Sequence, residues 1–182
     1  MDEKSIYEHY TNDHEHIRRL LEQFQRLKTT QPFGAKQALT ELRSALERHI
    51  LWEERILFPW FDHKCAERNY SPTPAFKREH GQILIYLDDI ARKVERGDFG
   101  TEEVEESLEL ILRLHNQREE EEFYSVLDKA LNEAERGAVL EAMGRCQASI
   151  SRLTPRDPFE DTPRQLQEAV EAACRLSCRC SS

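Results

Sequence analysis

Apolar residues recur at intervals of three and four positions through most of the first 150 residues, and charged or polar residues fill the positions between them. This spacing places the apolar side chains on one face of an α-helix, so it predicts amphipathic helices that pack through those faces. Ile17 and Leu21 belong to one such face, and Leu42 and Leu46 belong to another. We predict four long helices, over residues 5–28, 35–62, 75–96 and 101–131, and a shorter one over residues 132–148.

Short segments rich in proline, glycine and polar residues separate the four long helices, at residues 29–32, 69–74 and 97–100. Connections this short favour antiparallel neighbours, which predicts an all-α fold with an up-down-up-down antiparallel four-helix bundle. A further proline-containing stretch at 154–163 predicts an extended linker. We therefore expect the bundle and its short extra helix within residues 1–150, and a linker with a cysteine-containing C-terminal tail in residues 151–182.

The charge of the chain argues against one class of partner. It has 26 Lys and Arg residues against 35 Asp and Glu residues, a net charge of −9 and no basic stripe, so nucleic-acid binding is not expected. No run approaches the roughly 20 apolar residues that cross a bilayer, and the N-terminus lacks the apolar core of a signal peptide. A cytoplasmic protein with no membrane partner is therefore expected. The five cysteines are odd in number and three crowd the C-terminus, so a disulfide framework is not expected.

An internal repeat carries the candidate chemistry. When the chain is shifted by 66 residues against itself, four candidate functional positions come into register with residues of the same type. The coinciding pairs are His14 with His80, His49 with His115, Glu53 with Glu119, and Glu54 with Glu120. Apolar positions coincide as well, among them Leu42 with Leu108 and Leu46 with Leu112. The repeat predicts two helical hairpins built on one plan.

The four paired histidines are expected at one level of the bundle. Two residues of an antiparallel hairpin lie level when the turn falls midway between them in sequence. The midpoint is 31.5 for His14 and His49, 97.5 for His80 and His115, and 64.5 for His49 and His80. All three midpoints fall in or beside predicted breaks, so the four imidazoles should surround one interior volume.

The second and fourth helices each place a glutamate four residues after the histidine, at Glu53 and Glu119. Residues four apart share a helix face and lie about 6 Å apart along the axis, so each carboxylate points at the same volume as its histidine. Four imidazoles and two carboxylates suit a pair of cations, and iron fits this mixture best, with manganese or zinc as alternatives. The predicted metal ligands are His14, His49, Glu53, His80, His115 and Glu119.

The alternative reading of these residues is an ordinary polar core. A single histidine on a helix is usually a surface residue or a core residue with a hydrogen-bond partner, but six matched polar groups in one core would lack partners without a metal. His9 and His16 lack counterparts in the repeat and His63 lies at a helix end, so we expect no metal role for them. Glu54 and Glu120 are rotated away from the centre, and we expect them either to face solvent or to accept hydrogen bonds from the ligands.

Four motifs resemble one known family over residues 5–131. They are Asn12-Asp-His14, the run from His49 to Pro59, Arg78-Glu-His80, and the run from His115 to Glu120. The chain resembles the hemerythrin-like (HHE cation-binding) family. The resemblance implies a non-haem di-iron centre, bridged by carboxylates and an oxo or hydroxo group, that meets oxygen, nitric oxide or peroxide. By position, the four histidines would be the terminal ligands and the two glutamates the bridges.

The chain departs from the oxygen-carrying hemerythrins at two positions. Phe76 stands four residues before His80, where those proteins carry another histidine, and Glu119 stands where they have a bridging aspartate. A centre of four histidines and two glutamates resembles the di-iron members linked to repair of damaged iron–sulfur centres and to nitrosative stress. It leaves more open coordination, which favours redox reaction or iron exchange over oxygen storage. The cysteine-bearing N-terminal domain of the repair proteins is not expected, because the first helix begins near residue 5.

Three functions follow from this ligand set. The first is a non-haem di-iron protein that binds oxygen or nitric oxide, or handles iron, in oxidative or nitrosative stress or in repair of iron centres. The second is an enzyme, a di-iron oxidoreductase that reduces nitric oxide or peroxide with an outside electron donor. The third is a redox or metal sensor, or an interaction module, that signals through Cys174, Cys178 and Cys180. The sequence shows no nucleophilic triad, phosphate loop or zinc-finger spacing, so hydrolysis and phosphoryl transfer have no support.

Overall fold

The computed structural model describes the backbone of residues 5–153 and the side chains of residues 5–146. Every regular element in this range is a helix, and no strand occurs within it. Two of the long helices contain a segment of π-helix, in which the hydrogen bonds span five residues instead of four. The elements are α1 (Ile6–Leu27), α2 (Pro32–Trp52), π1 (Glu53–Leu57), α3 (Phe58–Lys64), α4 (Thr73–Glu95), α5 (Glu102–Arg118), π2 (Glu119–Tyr124), α6 (Ser125–Ala130) and α7 (Glu133–Leu153).

Four long helices form the bundle. Because α2, π1 and α3 follow one another without a break, they make the second long helix, and α5, π2 and α6 make the fourth. Helix α1 packs along α2, α4 packs along α5, and further contacts join α2 to α4 and α1 to α6. The predicted all-α bundle is therefore confirmed. The structure divides the chain into two compact units, Met1–Arg136 and Gly137–Ser182, and the four long helices lie in the first.

The structure extends two of the predicted elements. The second long helix begins at Pro32 rather than near residue 35, because a proline in the first turn needs no amide hydrogen bond and already has a helical φ. Helix α7 runs to Leu153, five residues beyond the expected end at 148. The division of the chain near residue 150 remains a prediction, and the proline-containing linker and the three C-terminal cysteines lie outside the described residues.

Local signals fix several helix ends. The Ser5 side chain accepts a hydrogen bond of 2.9 Å from the backbone N–H of Glu8 and so caps the start of α1. Gly97 follows α4 with a φ of 79°, a left-handed conformation that glycine adopts without steric cost. These ends leave the short connections that make successive helices antiparallel.

An aliphatic cluster fills the half of the bundle nearest the first and third connections. The paired positions of the repeat contribute to it directly, since Leu42, Leu46, Leu108 and Leu112 are all buried there. The cluster also contains Ile17, Leu20, Leu21, Phe24, Leu39, Ile83, Leu87, Ile90 and Val94. Burial of this apolar surface is the main stabilising contribution to the bundle. No helix in the described part of the chain is long and apolar enough to span a membrane.

A buried ion pair lies near the end of this cluster. The Nζ atom of Lys28 lies 2.6 Å from Oε1 of Glu105 and 2.9 Å from Oε1 of Glu102. The hydroxyl of Thr101 also donates to the Glu105 carboxylate. Lys28 follows His14 by fourteen positions, which is about 20 Å along a helix, so the pair is well separated from the histidines.

Candidate metal centre

The bundle brings all six predicted ligands into its interior. His14 comes from α1, His49 from α2, His80 from α4 and His115 from α5, while Glu53 and Glu119 are the first residues of π1 and π2. Each of the six is at most 5% exposed to solvent. They lie between the aliphatic cluster on one side and a group of aromatic side chains on the other. The level arrangement expected from the turn midpoints is therefore the one that the structure contains.

The ligand atoms fall into two groups that share one carboxylate. One group consists of Glu53, His80, His115 and Glu119, and the other of His14, His49 and Glu119. Within each group, one nitrogen or oxygen atom of every residue lies within 4.8 Å of those of the others. The two oxygens of Glu119 serve different groups, since Oε1 lies 3.1 Å from Nε2 of His115 and Oε2 lies 3.5 Å from Nε2 of His14. A shared carboxylate of this kind suits two cations held side by side.

Buried atoms without hydrogen bonds test whether a metal fits. In the described part of the chain, Oε2 of Glu53, Nε2 of His80 and Oε1 of Glu119 are buried and make no hydrogen bond. Nε2 of His80 lies 3.1 Å from Oε2 of Glu53, yet the two atoms are not aligned as a donor and an acceptor. An unsatisfied buried polar atom costs about 1–3 kcal/mol. Atoms that crowd one volume without bonding each other are the expected arrangement of ligands aimed at a cation, so the residues present fit a metal site.

Four carboxylates orient the imidazoles from outside. The Nδ1 atom of every predicted histidine ligand lies 2.8–2.9 Å from a carboxylate oxygen. A carboxylate at Nδ1 keeps the proton on that nitrogen and leaves Nε2 as the metal-binding atom. The pairs are His14 with Glu120, His49 with Asp13, His80 with Glu54, and His115 with Glu79. The pairing follows the 66-residue repeat, because each of these hydrogen bonds has its counterpart in the other half.

Two of these carboxylates were anticipated and two were missed. Glu54 and Glu120 do accept hydrogen bonds from the histidines, which was one of their two expected roles. Asp13 and Glu79 were not assigned a role. Each directly precedes a histidine of the repeat, and the 66-residue shift places Asp13 on Glu79, so the matched acidic pair was the available signal. Arg48 donates to Asp13 at 3.0 Å, and Arg118 donates to Glu79, so both carboxylates are also held by a cation.

The π-helical segments begin at the two inner glutamates. The N–H of Phe58 bonds the carbonyl of Glu53, five residues earlier, which is the hydrogen bond that defines π-helix. The start of π2 at Glu119 is 66 residues after the start of π1 at Glu53. Up to these residues the helices keep the α spacing that places each glutamate on the face of its histidine. The π-helical segments therefore begin at the predicted carboxylate ligands. They change only the rotation about the helix axis of the residues that come after them.

The mixture of imidazoles and carboxylates shifts the acidities of the site. Burial lowers the pKa of His80, but Glu119, Glu53 and Glu54 outweigh that effect and raise the pKa to about 11. Burial likewise lowers the pKa of His14, and Glu119 and Glu120 then raise it to about 9. Burial raises the pKa of Glu119, but the surrounding histidines outweigh it and hold that pKa well below its usual value. The site is therefore built to hold positive charge.

Aromatic side chains close the other side of the centre. Phe58 stacks on His80 with ring centroids 5.7 Å apart and an interplanar angle of 8°. Phe76 meets His115 edge to face at 5.5 Å, and Tyr10 meets His49 at 5.2 Å. These rings are buried and exclude water from the imidazoles. Phe76, the residue that stands in place of a further histidine, thus supplies an apolar wall.

Tyr124 is a further polar residue of the site that the sequence analysis did not identify. Its hydroxyl is fully buried and donates to Oε1 of Glu53, and it lies 3.1 Å from Oε2 of Glu119 and 3.4 Å from Nε2 of His14. Burial and the two carboxylates raise the pKa of Tyr124 well above its usual value, so the phenol is neutral in this arrangement. The repeat places Tyr124 on Phe58, and this exchange of an apolar ring for a phenol was the only available signal.

The remaining histidines lie outside both ligand groups. His16 and His63 are exposed, and His9 packs between the rings of Tyr10 and Trp52, with centroid distances of 5.6 and 5.8 Å. Among the residues that the structure describes, neither group of candidate metal ligands contains any of these three histidines. Cys65 and Cys146 do not belong to either group.

Comparison with known proteins agrees with this geometry. The model of the hemerythrin HHE cation-binding domain matches residues 5–127, which include all six predicted ligands. The iron-sulfur cluster repair protein YtfE of Edwardsiella ictaluri (strain 93-146) is 36% identical over 70 residues, which are 38% of this chain and 32% of that protein. The chain thus matches about a third of the length of this relative. No solved structure matches the chain. Because the domain match covers well over half of the sequence, the chain belongs to the hemerythrin HHE cation-binding domain family.

Proposed function

We propose that this protein holds two iron ions and uses them to bind oxygen or nitric oxide, or to handle iron, in oxidative or nitrosative stress or in repair of iron centres. The observation that carries the proposal is the pair of buried ligand groups that share Glu119 and contain three polar atoms without hydrogen bonds. His14 and His49 would hold one ion, His80 and His115 the other, and Glu53 and Glu119 would bridge them. When bound, the two ions supply coordination positions and electrons for oxygen, nitric oxide or peroxide.

The residues around the ligands support a reactive centre rather than a purely structural one. A structural metal site fills all positions with protein ligands, whereas a reactive site keeps some open. Four histidines and two glutamates are few for two ions that prefer five or six ligands each, and Phe76 contributes none. The aromatic wall of Phe58 and Phe76 gives the centre an apolar lining, which suits a small neutral molecule. This combination favours exchange of small ligands at a protected centre.

The comparison supports the biological setting of the proposal. The relative named above is an iron-sulfur cluster repair protein, and it shares a stretch of sequence with this chain at 36% identity. The shared stretch is a third of that protein, so a repair role for this chain is part of the proposal. Manganese or zinc would fit the same nitrogen and oxygen ligands, and only metal analysis separates these ions from iron.

Metal content and optical spectra test the proposed function. The full chain, purified without oxygen and loaded with ferrous iron, is expected to hold two ions and to develop near-ultraviolet absorption of an oxo-bridged ferric pair on oxidation. A His80→Ala variant should lose iron from one group, while His63→Ala, which changes an exposed histidine outside the site, should retain both ions. The proposal would be refuted if the wild-type protein bound fewer than two ions. It would also be refuted if the His80→Ala variant bound as many ions as wild type.

A second candidate function is catalytic and differs from the first in that the centre would turn over its ligand repeatedly. The open coordination described above also suits a di-iron oxidoreductase that reduces nitric oxide or peroxide with an outside electron donor. Steady consumption of nitric oxide or peroxide in the presence of excess reductant would favour this enzyme, and uptake that stops at the amount of iron present would favour a binding protein. The sensor hypothesis depends on Cys174, Cys178 and Cys180, which lie outside the described residues.

A further inference from the structure

The two ligand groups are unequal, although the repeat that builds them is regular. Four residues contribute to the group around His80 and His115, but only three to the group around His14 and His49. The rings beside the two groups also differ, since the repeat places Tyr124 opposite Phe58 and Tyr10 opposite Phe76. Phe58 stacks on His80 and has no donor atom, whereas the hydroxyl of Tyr124 points into the smaller group.

We propose that Tyr124 is itself a metal ligand, binding through its phenolic oxygen to the ion held by His14, His49 and Glu119. This inference rests on the proposed function, because it requires that the site binds metal. Binding breaks the O–H bond of the phenol and forms an oxygen–metal bond, and the proton leaves to solvent. A bound cation stabilises the deprotonated form of an oxygen or sulfur ligand, as it does for a coordinating thiol.

The distances around the phenolic oxygen are those that ligand atoms of one shared ion would have. Two ligand atoms that each lie about 2.1 Å from one ion are separated by about 3.0 Å at an octahedral angle and about 3.4 Å at a tetrahedral angle. The Nε2 atoms of His14 and His49 are 3.2 Å apart, and Nε2 of His14 lies 3.5 Å from Oε2 of Glu119. The Tyr124 oxygen lies 3.4 Å from that nitrogen and 3.1 Å from that carboxylate oxygen. Its distances to these two atoms therefore match the distances between the predicted ligand atoms themselves.

Hydrogen bonding alone does not account for these contacts. The phenol has one proton, which it donates to Oε1 of Glu53. That proton is then not available to Oε2 of Glu119 or to Nε2 of His14, although both are in close contact with the oxygen. Three predicted ligand atoms thus converge on one oxygen. It can donate to Glu53 and can accept from a protonated Nε2 of His14, but it has no second proton for Oε2 of Glu119. A cation among these atoms satisfies all of them at once.

Spectroscopy of the iron-loaded, oxidised full chain tests the proposal. A ferric phenolate has a visible charge-transfer band, and resonance Raman excitation in that band enhances the ring modes of the bound tyrosine. We expect wild type to show the band and Tyr124→Phe to lose it. Tyr10→Phe is the matched control, since Tyr10 is also buried and its ring lies 4.7 Å from that of Tyr124. This variant should keep the band.

A second experiment measures how tightly each iron is bound. In competition with a chelator, Tyr124→Phe should lose one iron at a chelator concentration about tenfold lower than wild type requires. The other iron should be removed at the same chelator concentration from both proteins. If Tyr124→Phe does not fold, wild type grown with ring-deuterated tyrosine still tests the proposal. The enhanced Raman modes must shift in frequency on deuteration if they come from a bound tyrosine ring. Wild type that holds two irons without phenolate modes, or a variant that keeps them, would overturn the proposal. Wild type that holds no iron would instead refute the proposed function.

Discussion

The carboxylates behind the histidines can be removed without touching a predicted ligand. Glu120→Gln and Asp13→Asn keep the size of each side chain, and the remaining amide oxygen can still accept from Nδ1. What each variant loses is the negative charge that strengthens the imidazole as a ligand. We therefore expect both variants to fold and to bind iron more weakly than wild type.

The two variants should lose iron affinity to different extents. Loss of a carboxylate behind a metal-binding histidine typically costs 10- to 100-fold in metal affinity, or about 1.4–2.8 kcal/mol. The Glu120 side chain is 27% exposed, so solvent screens its charge, and we expect the lower end of this range. The Asp13 side chain is only 12% exposed and is held by Arg48, so we expect a loss of about 100-fold.

Chelator competition under anaerobic conditions measures these affinities directly. Glu122→Gln is the matched control, because it removes a charge from an exposed residue of the same π-helical segment as Glu120. It should bind iron as tightly as wild type. If Glu120→Gln and Asp13→Asn also match wild type, the carboxylates do not support the ligands. If Glu120→Gln loses more affinity than Asp13→Asn, the reasoning from burial is wrong.

Three further predictions concern stability and ligand number. The metal-stripped protein should lose thermal stability as pH rises through about 9 towards 11, because the raised pKa values of His14 and His80 add stability that is complete below their ordinary value of 6.5. Metal should reverse that slope in a melting experiment, since neutral imidazoles bind it. Lys28→Met should lower the free energy of unfolding in urea by about 3–5 kcal/mol, because Glu105 is left buried and unpaired, with unchanged iron content. Phe76→His should destabilise the metal-stripped protein by about 1–3 kcal/mol and slow removal of iron by a chelator, because it adds a nitrogen ligand beside His115.

The fold and the interior positions of the six predicted ligands followed from the sequence because both depend on periodicity. Apolar spacing defines the helix faces, and turn midpoints define the heights of His14 and His49 before any contact is known. The 66-residue repeat then separates six polar positions from an otherwise charged background. These signals involve many residues at once, so single exceptions do not obscure them.

The missed residues depend on side-chain directions that no spacing rule supplies. Asp13 and Glu79 are two acidic residues among 35, and the repeat pairs them without showing that their side chains turn towards the histidines. Tyr124 occupies a position typical of an aromatic core residue, and only its contacts with Glu53 and His14 reveal the direction of the hydroxyl. The π-helical segments have no composition that would predict a hydrogen bond to the fifth residue.

The matching π-helical segments constrain any origin of the bundle by duplication of one hairpin. Each contains one residue more than an α-helix needs, so deleting a residue from Glu54–Leu57 would restore α geometry and rotate Phe58 and everything after it by about 100°. Both segments begin at equivalent positions of the repeat. If the two hairpins descend from one ancestral hairpin, the insertion was already present before the duplication. The ancestor of this bundle would then be a symmetric dimer of single hairpins, each with its own π-helical segment.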